Sequence, residues 1–86
     1  MLVNTFEIKS KSGLHARPAA LFVQECNNFE SEIEIRKGQH RVNGKSIIGV
    51  MALAVEAGES IEVFVEGPDE EEAMKAIETF LAKQVD

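Results

Sequence analysis

A glycine, a histidine, an arginine and a proline fall together in Gly13-Leu14-His15-Ala16-Arg17-Pro18-Ala19, immediately before an alanine-rich run. An imidazole offers a ring nitrogen as a nucleophile, and a guanidinium is a planar, charged donor set suited to phosphate. Pro18 has no backbone N–H and is tolerated only in the first turn of a helix. A helix that continues through Ala20, Val23 and Gln24 must therefore begin near Ala16, with His15 at its cap. The unpaired N–H groups of Ala16 and Arg17 would then point out of the positive end of the helix, where they favour an anion. The chemistry predicted is attack by a ring nitrogen of His15 on a phosphoryl group, with Arg17 balancing the charge and the amides holding the oxygens. Taken alone, the same histidine also fits a plain polar cap beside a basic residue.

The elements that must position this stretch follow from periodicity. Leu2 to Lys9 alternates, with Leu2, Phe6 and Ile8 on one side and Val3, Thr5, Glu7 and Lys9 on the other, which predicts a strand with one face buried. Ser10 to Gly13 reads as the loop that delivers the chain to His15, and Ser12 is placed to approach a bound phosphate or to serve as an ordinary loop serine. On the following helix Ala19, Phe22, Val23 and Cys26 form a core-facing stripe, leaving Arg17, Ala20, Leu21 and Gln24 on the other face. Cys26 is then a small buried hydrophobe.

Glu32 to Arg36 alternates again and turns through Lys37-Gly38 into a short strand at His40 to Val42. His40 has no histidine or cysteine at ligand spacing, so it is a hairpin residue and no metal site is predicted. Gly44-Lys45-Ser46 matches the end of a P-loop, but position 39 is glutamine where that motif needs glycine. Ser46 instead suits the N-cap of a short helix from Ile47 to Leu53. Val50 and Leu53 would point inward, with Ile48, Met51 and Ala52 outward and Ile47 at the flank. Ala20 and Leu21 together with Ile47, Ile48 and Met51, and Gln24 beside them, form a candidate docking patch near His15. The competing assignment, that all of these apolar residues are core, asks too much of a domain this small. Ile61, Val63 and Val65 make a fourth strand, broken at Gly67-Pro68. Asp69 and Glu72 have the spacing of a capping box for a last helix carrying Ala73, Ile77, Phe80 and Leu81 on its apolar stripe.

At 86 residues the chain is one domain, 1–86, too small for a large internal active site, so its chemistry belongs on the surface and depends on a partner. A net charge of −6 argues against nucleic acid as the partner. Residues 1–24 nevertheless hold Lys9, Lys11 and Arg17 against Glu7 alone, a local excess that would attract acidic or phosphorylated groups. No apolar run approaches membrane length and no signal-peptide pattern opens the chain, so no membrane insertion and a cytoplasmic location are expected. The lone Cys26 can form no internal disulfide. Four amphipathic strands needing helices on one face predict an α+β two-layer domain, which periodicity alone does not separate from a ferredoxin-like ligand-binding module.

The segment Gly13 to Ala19 resembles the active-site motif of the histidine-containing phosphocarrier (HPr) family of the bacterial sugar phosphotransferase system. Asn43-Gly44-Lys45-Ser46-Ile47-Ile48-Gly49-Val50-Met51 resembles that family's regulatory-serine region. The resemblance implies an open-faced sandwich, a four-stranded antiparallel sheet with three helices on one face, in the order βαββαβα. It implies that a phosphorylated enzyme I, charged by phosphoenolpyruvate, donates to Nδ1 of His15 and that IIA domains of sugar permeases accept from it. His15 and Arg17 would carry the transfer, with Ser12, Ala16 and Arg17 binding the phosphate, and no cofactor is implied. Ser46 would be modified by an HPr kinase/phosphorylase. Gly49-Val50-Met51 is similar to the Gram-positive form, whose phosphoserine state also serves a catabolite-control transcription factor. Ala19-Ala20-Leu21-Phe22-Val23-Gln24-Glu25 is similar to Crh, regulatory paralogues in which the carrier histidine is replaced; His15 favours the carrier. A monomer docking transiently is expected.

Overall fold

β4 (Ser60–Glu66) lies inside the sheet because its Ile61, Val63 and Val65 are all buried, while Glu62 and Glu66 remain exposed. In the computed structural model, which describes residues 1–83, β4 pairs antiparallel with β1 (Leu2–Glu7) on one side and with β2 (Glu32–Lys37) on the other. A hairpin adds β3 (His40–Asn43), giving the order β1-β4-β2-β3. The register sets Ile33 beside Val65 and Ile35 beside Val63, so one face of the sheet is continuous hydrocarbon.

Three helices cover that face: α1 (Ala16–Cys26), α2 (Ile47–Ala52) and α3 (Glu70–Ala82). The expected order, strand, helix, strand, strand, helix, strand, helix, is the observed one. α1 buries Ala19, Phe22, Val23 and Cys26, the stripe its spacing predicts, and Phe22 meets Phe80 edge to face with centroids 5.9 Å apart. Burial pushes the Cys26 thiol up to about 12, so it behaves as a hydrophobe and not as a nucleophile.

Three expectations need correction. The first strand stops at Glu7 and not at Lys9, because β4 begins at Ser60; beyond it Ile8 bonds to the Gly58–Glu59 turn. In α3, Met74 joins Ala73, Ile77 and Leu81 in the core, whereas Phe80 is half-buried. The capping box of Asp69 and Glu72 does not form. The Asp69 carboxylate turns away from its own helix to accept from Ser31 Oγ and from the backbone N–H groups of Glu30 and Ser31. Glu70 instead accepts from Gly67 N–H at 3.1 Å.

Candidate functional site

Two segments far apart in sequence build the platform under His15. Leu14 donates its N–H to the Val55 carbonyl at 2.8 Å, Ile8 donates to Glu59, and Gly58 donates back to Ile8. Leu14 is buried, with 1% of its surface exposed, and so pegs the loop into the core at a gain of about 2 kcal/mol. Gly13 is required where the two segments touch. Its φ is +65°, and a Cβ there would stand 2.8 Å from Glu56 Cα and closer still to the Val55 carbonyl oxygen.

The facing segment leaves α2 through Ala54, a non-glycine residue at φ 51°. Lys37 Nζ reaches across from β2 and donates to the carbonyls of Leu53 and Ala54 at 3.1 and 3.0 Å, placing a cation on the negative end of α2. The same ammonium pairs with Glu59 at 3.1 Å. The backbone bond from Glu56 and the bond from Lys37 hold the Glu59 carboxyl below its usual range. Lys37, Leu14 and Val55 thus frame the site, and sequence reasoning assigned them no role in it. Only the apolar residue set between Gly13 and His15 was a local signal; the reach of Lys37 to residue 54 depends on how the sheet folds.

His15 is the N-cap residue of α1, extended at φ −82° and ψ −165°, and its side chain makes no cap hydrogen bond. The ring is exposed and meets no hydrogen-bond partner among the described residues. Its backbone carbonyl accepts from Ala19 N–H at 2.8 Å, which fixes the turn that Pro18 begins. The Ala16 and Arg17 amides have no acceptor among the described residues, and the first turn of α1 contains no acid. The helix therefore opens with unfilled donors beside an exposed imidazole and an exposed guanidinium. This arrangement is suited to holding an anion at the ring.

A groove of about 1040 Å³ between α1 and α3 takes in Ser12, Arg17 and Leu21 among its walls. Ser12 and Arg17 thus share one surface, while His15 lies outside those walls. At about 100° per residue, Leu21 and Ala20 fall on opposite sides of the exposed crest of α1. Leu21 faces the groove beside α3; Ala20 is half-buried and Gln24 is exposed.

Ser46 caps α2: its hydroxyl accepts from Gly49 N–H at 3.1 Å. Val50 and Leu53 are buried as their spacing requires, and Ile47, Ile48 and Met51 are exposed, Ile48 by 80%. The Ser46 end is tied to the far end of α1, since Asn27 Nδ2 donates to the carbonyls of Val23 and Lys45, and Lys45 Nζ donates to that of Phe29. α2 therefore sits against α1 with Ile48 turned to solvent. His40 is exposed on its hairpin, and among the described residues no three His, Cys, Asp or Glu side chains gather as a metal site. No helix among them is long and apolar enough to cross a membrane.

The family model described as "PTS HPr component phosphorylation site" matches residues 2–83. An HPr-like protein Crh from Halalkalibacterium halodurans is 52% identical, over 98% of this chain and 100% of its own length. A phosphocarrier protein HPr from Treponema pallidum is 50% identical, over 91% of this chain and 89% of its own. The crystal structure of an HPr from Thermoanaerobacter tengcongensis superposes with a TM-score of 0.93 at 50% identity, covering 95% of this chain and 92% of that one. With the expected open-faced sandwich observed and the match running through all seven elements, the chain belongs to the HPr family of the phosphotransferase system, with Crh-like features.

Proposed function

We propose that this chain carries a phosphoryl group on His15, taking it from enzyme I and passing it to IIA domains of sugar permeases in the cytoplasm. The observation that supports this most is the imidazole itself, exposed at the open end of α1 with no hydrogen bond of its own. Nδ1 attacks phosphorus, the N–P bond forms, and the donor's bond to phosphorus breaks. Arg17 and the Ala16 amide, with Ser12 near Arg17, hold the phosphoryl oxygens. On transfer, the phosphorylated ring regains a proton and leaves as neutral imidazole, which keeps the phosphate readily transferable. The charge being moved is held by side chains and amides, so the step requires no metal or cofactor from this chain.

Partners dock on Ala20, Leu21 and Gln24 of α1 and on Ile47, Ile48 and Met51 of α2, around the local basic excess of the first 24 residues. The chain acts as a monomer, which light scattering would check. Phosphorylation of Ser46 by an HPr kinase/phosphorylase adds about −1.5 to −2 charges at the start of α2, beside this apolar patch. That charge would repel an acidic partner surface and mark the protein for a catabolite-control transcription factor. A kinase incubation that leaves Ser46 unmodified would remove this regulatory arm.

A second reading has its own support. The Crh relative matches 98% of the chain over its own full length, and residues Ala19 to Glu25 are similar to that group, so a mainly regulatory protein acting through phosphorylated Ser46 is the alternative. Intact mass after incubation with enzyme I and phosphoenolpyruvate, with His15→Ala alongside, separates the two. An acid-labile phosphate absent from the variant supports the carrier. No transfer from an enzyme I proven active on another HPr supports the regulator.

A further inference from the structure

The groove between α1 and α3 has a composition that differs from the rest of the molecule. Pro18 and Leu21 of α1 and Phe80 of α3 give it an apolar wall, and the edge-to-face contact of Phe80 with Phe22 fixes that wall in place. Three cations, Arg17, Lys75 and Lys83, line it against two acids, Glu25 and Glu72, so the groove is net positive in a chain of net charge −6. None of the three cations is ion-paired with a described residue, although the protein has acids in excess. At about 1040 Å³ the space is as large as a typical small-molecule site. Apolar walls rimmed by unpaired cations are complementary to a flat apolar body carrying one negative group.

We infer that this groove binds a small organic anion with an apolar body, of the aromatic carboxylate class, and that its occupant competes with phosphate for Arg17. The second half rests on the phosphocarrier reading above; the first half does not. Because Arg17 lines the groove and also stands two residues from His15, a carboxylate held by its guanidinium leaves fewer donors for a phosphoryl group. Occupancy of the groove would then slow phosphorylation of His15 while leaving Ile47, Ile48 and Met51 uncovered, Leu21 being the one docking residue that the groove shares.

The probe is 2-naphthoate, titrated into the isotope-labelled full chain at low ionic strength and followed by amide NMR shifts, with 2-naphthylmethanol as the uncharged control. Saturable shifts are expected at Leu21, Ala76 and Phe80, with the carboxylate binding at least fivefold tighter than the alcohol. Lys75→Glu should weaken the carboxylate at least fivefold while its own spectrum stays folded. Shifts that never saturate, equal binding of carboxylate and alcohol, or shifts centred on Ile47, Ile48 and Met51 would overturn the site. Saturating 2-naphthoate should then slow enzyme I-dependent phosphorylation of the wild type at least threefold, and of Lys75→Glu much less. A confirmed titration with an unaltered phosphorylation rate would overturn the competition alone. A chain that accepts no phosphate even without the probe would refute the phosphocarrier reading and leave the titration standing.

Discussion

At the start of α3, Glu70, Glu71 and Glu72 fill the first turn, and the Asp69 carboxylate takes three hydrogen bonds from Glu30 and Ser31. At the start of α1 there is no acid, and His15 caps nothing with its side chain. Both positions begin helices on the same face of the same sheet, so architecture does not explain the difference. Acids at a helix N-terminus stabilise the dipole, and a satisfied carboxylate fastens the loop before β2 to the loop before α3. Those same acids at α1 would occupy the donors and repel an incoming phosphate. One helix start is filled with acids and the other keeps open donors, with α2, capped by Ser46 on Gly49, between them.

The largest expected effect tests how rigidly the open end is held. Gly13→Ala combines a positive φ with a collision against the Val55–Glu56 backbone, and should lower the unfolding free energy by about 3 kcal/mol in denaturant titration. A loss under about 1 kcal/mol would show that the platform yields.

At the closed end, Ser31→Ala should cost about 1.5 kcal/mol, since the buried hydroxyl that donates to the Asp69 carboxylate is removed. The pH dependence follows from the same cluster. The hydroxyl of Ser31, then the Glu30 amide, holds the Asp69 carboxyl below its ordinary 3.8, and the Gly67 amide, then the N-terminus, holds Glu70 below 4.5. A carboxyl lowered in the folded state adds stability that is present above its ordinary value and is lost as pH falls through the lowered one. Asp69→Asn should therefore be less stable than wild type at neutral pH, with the gap closing in acid. A gap that does not change with pH would contradict this assignment.

Three substitutions have smaller effects. Ser46→Ala should cost about 1 kcal/mol through the lost cap. Ala54→Gly should stabilise by about 0.7 kcal/mol, because glycine relieves the left-handed backbone there. His15→Ala should change stability by less than about 0.5 kcal/mol, because its side chain supports nothing in the fold. A substantial loss in thermal unfolding of that variant would mean that His15 is a structural cap after all.

Much of this was legible locally. Pro18 fixes where α1 starts, the three- and four-residue spacing of Ala19, Phe22, Val23 and Cys26 fixes its buried face, and Ser46 sits one residue before an apolar run. Strand alternation gave the four strands but not the β1-β4-β2-β3 order, which depends on which edges meet after collapse. Asp69 shows the limit of a local rule. The capping-box spacing is present, yet buried Ser31 needs an acceptor and draws the carboxylate away. The site divides in the same way. His15, Arg17 and their helix start are adjacent in sequence, whereas the contacts from Val55 and Lys37 join residues brought together only by the sheet.

The proposed role of the open start of α1 is to carry phosphate on His15. Phosphorus NMR with intact mass, after incubation with enzyme I and phosphoenolpyruvate, tests it most directly. One acid-labile phosphate is expected on the wild-type chain and none on a fully folded His15→Ala. A wild-type chain left unphosphorylated by an enzyme I active on another HPr, or an equal phosphate on the variant, would contradict it.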